Sequence, residues 1–526
     1  MALWTSDLPW APHEEALAQW SAARWGWKPG DPDWPSAVAL LAFAEDEGHT
    51  AVDWALAPQL WSRRFARLDS PPAFSLPPPE TWPPELFDGW LVRAPQGQRG
   101  LQTARNAALE ATLRQRLAGL AASTPAGLDA VGQDAAVARA GRVRLLLLAG
   151  GPGTGKTTTL RKLVTRWTAE RPGLRTVVAA PTGRAAVRVR QSFAGADAVP
   201  ECLTVHRLLG LPPGLGAPWH GPHRPLPFDL VIVDEASMLD LRTAVALTAA
   251  LGPQAALVLV GDPGQLPSVE AGAVFRDVLA LPELSSAAVR LHERFRLAET
   301  SRTLVEVFDL LQDPSVPADE AVEKLARWGA GQAPDFRWLV CADDEDPGPR
   351  ALASWGSPRN LTGAALSQSI LLSPVHEGPG GAQTLGGLID RSLGRHPGAV
   401  GPSLPWIITR NLPHLDLSNG DRGLVAARDG QLWFEDPEVP GRSWPFSLVR
   451  EDGQSAWAIT VHKSQGSEYD CVVLVLPPTR LGVSGRELVY TALTRARSSA
   501  VLVSSEASLR AALTDTGGRQ TGFSLQ

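Results

Sequence analysis

Residues 145–157 read LLLLAGGPGTGKT, and this stretch decides the reading of the chain. Four leucines run into a glycine-rich turn that fits G-x-x-x-x-G-K-[ST], from Gly150 to Thr157. An apolar run of this length reads as a buried strand, and Thr158–Trp167 continues as a helix. In that strand–turn–helix setting, glycines let backbone N–H groups close around phosphate oxygens at the helix N-terminus. Gly151, Gly153, Thr154, Gly155 and Thr158 are the expected cradle. Lys156 is placed to reach the β/γ-phosphates, and the Thr157 hydroxyl to hold Mg²⁺. ATP and Mg²⁺ are therefore the expected cofactors.

Working outward, Leu230–Val233 is a second apolar strand, and it ends in Asp234 and Glu235. Asp234 suits Mg²⁺ coordination, and Glu235 suits activation of an attacking water. An acidic pair at a strand end is common on surfaces, but here it follows a phosphate loop. A third strand, 256–260, runs into Gly261-Asp262-Pro263-Gly264-Gln265, which places Gln265 to sense the γ-phosphate or the water. Far along the chain lies Tyr490–Arg497, with two arginines. An arginine supplied across a domain cleft stabilises the charge of phosphoryl transfer, and domain closure can then couple chemistry to motion.

The whole chain has 526 residues, 44% hydrophobic and 20% charged, which excludes a largely disordered protein. At roughly 100–200 residues per domain, several domains are expected. No apolar stretch approaches the ~20 residues of a membrane span. The start, MALWTSDLPW, has no basic segment followed by an apolar core, so the expected compartment is the cytoplasm, with no membrane partner. Cys202, Cys341 and Cys471 are far apart and support neither a disulfide framework nor a zinc site.

The first 115 residues differ from the rest. They hold ten of the 19 tryptophans, and 9 basic against 14 acidic residues, a net of −5 out of −6. This segment reads as a mostly helical module with extended linkers. Beyond it, apolar strands alternate with helices, which argues for parallel-sheet α/β domains. The expected strands are 143–148, 176–180, 229–233 and 256–260, then 336–341, 369–372, 457–461, 471–476 and 500–503. A Gly/Pro-rich region with short strand-like pieces (406–409, 423–427, 432–434) interrupts the second set.

The motifs fall in a fixed order: Gln133, GGPGTGKT, APTGRAA at 180–186, TVHRLLG at 204–210, VIVDEASM at 231–238, GDPGQLPSVEAG at 261–272, ERFR at 293–296, AITVHKSQGSEYD at 458–470 and ELVYTALTRAR at 487–497. This set resembles superfamily one helicases of the RecD type over about residues 120–505. The resemblance implies two RecA-like motor domains that clamp ATP and track along single-stranded DNA, with a small SH3-like β insert and a helical N-terminal domain. The implied division is 1–115, 116–292 with a hairpin-like, strand-separating insert at 209–227, and 293–526 with a β insert at 396–456.

By the same resemblance, Gln133 reads adenine, and Lys156, Thr157, Asp234, Glu235 and Gln265 form the hydrolysis set. Arg296 contacts phosphate from the second motor domain. Arg495 is the arginine finger in preference to Arg497, and Gly466 and Glu468 link nucleotide to DNA track. Pro181, Thr182, Arg184, Thr204, His206, His462, Lys463, Ser464 and Gln465 are the implied DNA contacts. Short hydroxyls, amides and cations hold phosphates and sugars without reading bases.

The resemblance implies 5′→3′ movement at double-strand DNA ends, and RecB-like and RecC-like partners in an exodeoxyribonuclease V-type heterotrimer. Stand-alone members carry a larger N-terminal extension with helix–hairpin–helix elements. No lysine has an acidic residue two positions before it, so no E-x-K nuclease triplet occurs and no nuclease activity is expected. The alternatives are a free-standing RecD-type helicase and a non-translocating ATP-binding assembly subunit.

Overall fold

The computed structural model describes residues 8–66, 68, 70–93, 100–122, 132–139, 142–195, 199–212, 216–292, 301–331, 333–355, 369–396, 400–436, 441–478, 485–514 and 519–523. The N-terminal region has helices α1 (Pro12–Trp25), α2 (Trp34–Asp46) and α3 (Ala57–Arg64). It also has a small antiparallel sheet, β1 (Ala51–Asp53), β2 (Leu91–Arg93) and β3 (Gly100–Thr103), in the order β1-β3-β2. Strands of three or four residues with mixed polarity carry no period that a sequence reading can catch. Trp10, Trp34, Trp54, Trp61 and Trp82 are buried in one core with Phe65 and Leu86. Trp20, Trp25 and Trp90 gather at its edge with ring centroids 5.1–6.1 Å apart, and Trp20 is exposed.

Helix α4 (Ala104–Ala121) leads into the first motor domain and crosses the division expected at 115. Its Leu113, Leu117 and Leu120 are buried in the core of the motor sheet. That sheet contains β4 (Leu145–Gly150), β5 (Thr176–Ala180), β6 (Glu201–Thr204), β7 (Leu230–Val233), β8 (Ala256–Gly261) and β9 (Ala288–Leu291). Every pairing in it is parallel, in the order β6-β5-β7-β8-β4-β9. Burial on both faces explains the unbroken apolar runs of β4, β7 and β8. The strands β6 and β9 were not expected. Each is a four-residue edge strand with an exposed charge, Glu201 or Arg290, so its signal is weak.

The second motor sheet contains β10 (Phe336–Cys341), β11 (Ser369–Ser373), β17 (Ala458–Thr460), β18 (Tyr469–Val475) and β19 (Ala496–Ser505). It is also parallel, in the order β10-β19-β18-β11-β17. Between β11 and β17 stands an antiparallel five-stranded sheet, β12 (Leu404–Ile408), β13 (Arg422–Arg428), β14 (Gln431–Glu435), β15 (Ser443–Pro445) and β16 (Gly453–Ser455). It occupies the place expected for a β insert. Among the described residues no helix is long and apolar enough to cross a membrane.

Candidate active site

At the C-terminal end of β4 the chain turns through Gly153 and Gly155, whose φ angles are 73° and 78°. Side chains other than glycine pay for such angles, so the loop needs glycine there. Helix α6 (Lys156–Glu170) starts at once, and its first residues, Lys156, Thr157 and Thr158, line the cleft. The Thr154 hydroxyl donates to the Gly151 carbonyl at 2.9 Å and braces the loop. Lys156 Nζ donates to the carbonyls of Gly150 and Gly151 at 2.6 and 3.0 Å. Gln133 lies on α5 (Gln133–Ala138); its amide nitrogen donates to Thr154 O at 3.4 Å, and its oxygen accepts from Lys162 at 3.1 Å.

Next to the loop, β7 ends in the acid pair. Asp234 is buried, and its carboxyl is held well above the usual range by burial and then by the charge of Glu235, with Lys156 pulling the other way. Glu235 sits at φ 54°, a left-handed angle that a non-glycine residue adopts only where the surroundings hold it. Its Oε2 is buried without a hydrogen-bond partner. An unsatisfied carboxylate oxygen beside a buried acid and a threonine hydroxyl suits a hydrated divalent cation and a water nucleophile.

The cleft, about 360 Å³, lies between the two motor sheets. It brings together Gln133, Gly151, Gly153, Thr154, Gly155, Lys156, Thr157, Thr158, Asp234, Glu235 and Gln265 from the first domain with Gly466, Glu468 and Arg495 from the second. Arg495 is buried, with Nε donating to Thr491 O at 3.1 Å and Nη1 to Ser467 O at 3.4 Å. Arg497 is outside, half-exposed, with Nε donating to Glu468 Oε2 at 3.2 Å. Arg296 falls outside the described residues.

Among the cleft residues that escaped the sequence reading is Arg188. It stands on α7 (Gly183–Ser192), one turn beyond Arg184. Its guanidinium pairs with Glu468 across the cleft and donates to Gly466 O at 3.4 Å. The helical spacing from Arg184 was the available signal, since four residues on a helix share a face.

The expected DNA contacts divide. Thr182 and Thr204 cap the helices α7 and α8 (Val205–Leu209), accepting from Ala185 and Arg207 N–H at 3.2 Å each. His206 and His462 are exposed, and Pro181, Arg184 and Lys463 are half-buried. Ser464 and Gln465 are turned inward, against expectation. Ser464 is fully buried, and its hydroxyl donates to Val461 O at 2.6 Å. Gln465 Nε2 donates to Leu266 O at 3.0 Å, across the cleft. The β insert reaches this face: a Cβ added at Gly183 would lie 2.4 Å from Ser418 Oγ. In the insert at 209–227, Gly221 and Arg224 bridge in antiparallel fashion, and the Arg224 guanidinium lies 4.0 Å from the ring of exposed Trp219.

Two parallel sheets, with a phosphate loop and acid pair on one and an arginine from the other lining the same cleft, define a two-domain ATPase motor. Two family descriptions match: an AAA domain over residues 129–331 and a UvrD-like helicase C-terminal domain over residues 455–503. The RecBCD enzyme subunit RecD of Mycobacterium tuberculosis (strain CDC 1551 / Oshkosh) is 32% identical over 530 residues, covering 93% of this chain and 88% of that protein. The RecBCD enzyme subunit RecD of Mycolicibacterium smegmatis is 35% identical over 428 residues, 72% of each chain. The ATP-dependent RecD2 DNA helicase of Deinococcus radiodurans is 35% identical over 369 residues, 67% of this chain and 46% of that protein. The chain belongs to the RecD family.

Proposed function

We propose that this chain is the ATP-driven 5′→3′ motor subunit of a RecBCD-type complex acting at double-strand DNA ends. The observation that supports it most is the cross-sheet cleft that joins Lys156, Asp234, Glu235 and Gln265 to Arg495. Thr157 and Asp234 would hold Mg²⁺, which supplies charge neutralisation at the β- and γ-phosphates. Lys156 exchanges its loop carbonyls for phosphate oxygens. Glu235, with its unpartnered oxygen, takes the proton of the attacking water. Arg495 donates to the charge that develops on the transferred phosphoryl group. Gln133, pinned on the loop, meets the adenine.

The subunit reading is favoured over a free-standing helicase by how far the likeness extends. The match to the M. tuberculosis RecD covers 93% of this chain, so it takes in most of the Trp-rich module, whereas the RecD2 match covers 67%. That module carries net negative charge, which DNA phosphate would repel, while the Trp20–Trp25–Trp90 cluster has the aromatic character of interface hot spots. Pro181, Thr182, Arg184, Thr204, His206, His462 and Lys463 remain the proposed DNA contacts, and Ser464 and Gln465 leave that set.

The test measures molecular size and DNA-stimulated ATPase of the full chain, alone and with RecB-like and RecC-like partners, beside Lys156→Gln. The expected result is a heterotrimer, turnover stimulated by single-stranded DNA, and turnover abolished in Lys156→Gln. A monomer that ignores both partners and unwinds DNA alone overturns the subunit reading. Near-normal turnover in Lys156→Gln overturns the site.

A further inference from the structure

The loop 261–267, which carries Gln265, is gripped by the second motor domain as firmly as by the first. Asp262 is fully buried beneath it. Its Oδ1 accepts the Gly264 N–H at 3.0 Å. Its Oδ2 accepts two donors at 3.0 Å each, the Gln265 amide and the Tyr490 hydroxyl. A carboxylate offers only acceptors, so the Gln265 nitrogen must face Asp262 and its carbonyl oxygen is left for the cleft. The Thr491 hydroxyl oxygen accepts the Leu266 N–H at 2.8 Å. The ring of Tyr490 also abuts the loop, 3.1 Å from where a Cβ at Gly264 would stand. Tyr490 and Thr491 are both buried and belong to the helix Arg486–Leu493 of the second domain.

We propose that Tyr490 and Thr491 are positioning residues for ATP hydrolysis. They fix the register of the 261–267 loop against the second motor domain, so that the Gln265 carbonyl meets the attacking water only when the domains are closed. The proposal rests on the reading above of Gln265 as a hydrolysis residue that senses the γ-phosphate or the water, and commits it to the water. The physical reason is the small number of restraints on a Gly/Pro loop. Losing the Tyr490 hydroxyl removes one of the two donors on Asp262 Oδ2, and Asp262 is what orients the Gln265 amide. Losing the Thr491 oxygen leaves the Leu266 N–H without that partner in a partly buried place. Neither residue is among those that line the nucleotide cleft, so ATP affinity should be spared. An interaction that tightens only in the transition state appears in kcat.

The experiment uses the full chain, saturating oligo(dT), steady-state ATPase and the affinity of a fluorescent ATP analogue, with thermal unfolding as a folding check. Tyr490→Phe and Thr491→Val should each lower kcat by about tenfold or more while KM and analogue affinity stay within about threefold, and Thr491→Ser, which keeps the oxygen, should restore kcat to within about threefold. In a Gln265→Ala background, Tyr490→Phe should cost nothing further, because its effect passes through Gln265. The proposal is overturned by an undiminished kcat, by a rise in KM alone, by failure of Thr491→Ser to rescue, or by a full additional loss in the Gln265→Ala background. If Tyr490→Phe does not fold, the Thr491→Val and Thr491→Ser pair decides. If Gln265→Ala itself turns over normally, the underlying reading of Gln265 falls, an outcome distinct from a crippled Gln265→Ala beside a normal Tyr490→Phe.

Discussion

Arg495 and Arg497 are two positions apart and meet different surroundings. Arg495 lies in the turn after the helix Arg486–Leu493, where its guanidinium is anchored on the carbonyls of Thr491 and Ser467 and faces the cleft. Arg497 points to the outer edge, towards Glu468 and Asp470. A charge that pairs with the developing phosphoryl charge contributes in the transition state more than in the bound state. Arg495→Ala should therefore lower kcat by about a hundredfold or more with little change in ATP affinity, and Arg497→Ala should stay within about threefold. Steady-state ATPase with single-stranded DNA checks this, and a larger loss in Arg497→Ala would reverse the choice. The resemblance preferred Arg495 for its place in the motif; in the structure Arg495 lines the cleft and Arg497 does not. Arg188 shows the converse. Its chemistry was visible in the sequence, but its pairing with Glu468 depends on a domain that begins more than a hundred residues later.

Helix α4 shows what a composition shift conveys about elements and what it hides. Tryptophan density and charge change near residue 115, yet the helix runs from Ala104 to Ala121 without a break. Its last two turns place Leu113, Leu117 and Leu120 against the first motor sheet. Leu117 is fully buried, so its truncation removes transfer energy and leaves a cavity. Leu117→Ala should destabilise the motor by about 2–5 kcal/mol. Urea unfolding should show a lower midpoint with an unchanged slope, and a midpoint equal to that of the native chain would detach α4 from this core. The same packing predicts that a fragment cut at 115 behaves worse than one cut before Thr103, the residue whose hydroxyl caps α4. Element type was legible for the long apolar strands. Short strands such as β1, β6 and β9 take their form from neighbours on the sheet.

Across the whole molecule, the chain's last described residues tie three parts together. After leaving the second motor domain, Gln520 lies along β1, its carbonyl accepting the N–H groups of Thr50 and Ala51 at 3.0 and 3.3 Å. Its own N–H donates to His49 Nδ1 at 2.9 Å. Arg276 of the first motor domain pairs with Glu487 of the second at 2.6 Å and donates to Arg519 O at 2.9 Å. Phe523 is buried in the first motor core. At this junction burial pushes the Glu110 carboxyl up to about 7, against the hydrogen bonds from Thr50 and the Gly522 N–H.

With a folded-state pKa above the ordinary 4.5, the folded protein holds the Glu110 proton between about pH 4.5 and 7. That contribution is complete below pH 4.5 and is lost as pH rises through 7, by about 3 kcal/mol. His49, pushed down to about 4 by burial and then by Arg63, acts in the opposite sense, its penalty fading as pH rises from about 4 to 6.5. Glu110→Gln keeps an acceptor for the Gly522 N–H and removes the charge. It should be more stable than the native chain at pH 8, with the gap closing towards pH 5. Thermal unfolding of both across that range checks this, and a gap independent of pH would remove Glu110 as the titrating group.

The sequence by itself determined the chemistry and the class of fold. A phosphate loop, an acidic strand end and unbroken apolar strands are written in contiguous residues, because backbone geometry and burial on both faces of a sheet impose them locally. What only the tertiary structure decided is which distant residues share a surface. The inward turn of Gln465, the Arg188–Glu468 pair, the Tyr490 grip on Asp262 and the return of Gln520 to β1 all join segments separated by many residues. Such contacts follow from how one sheet docks on another, and no period or motif along the chain encodes that docking.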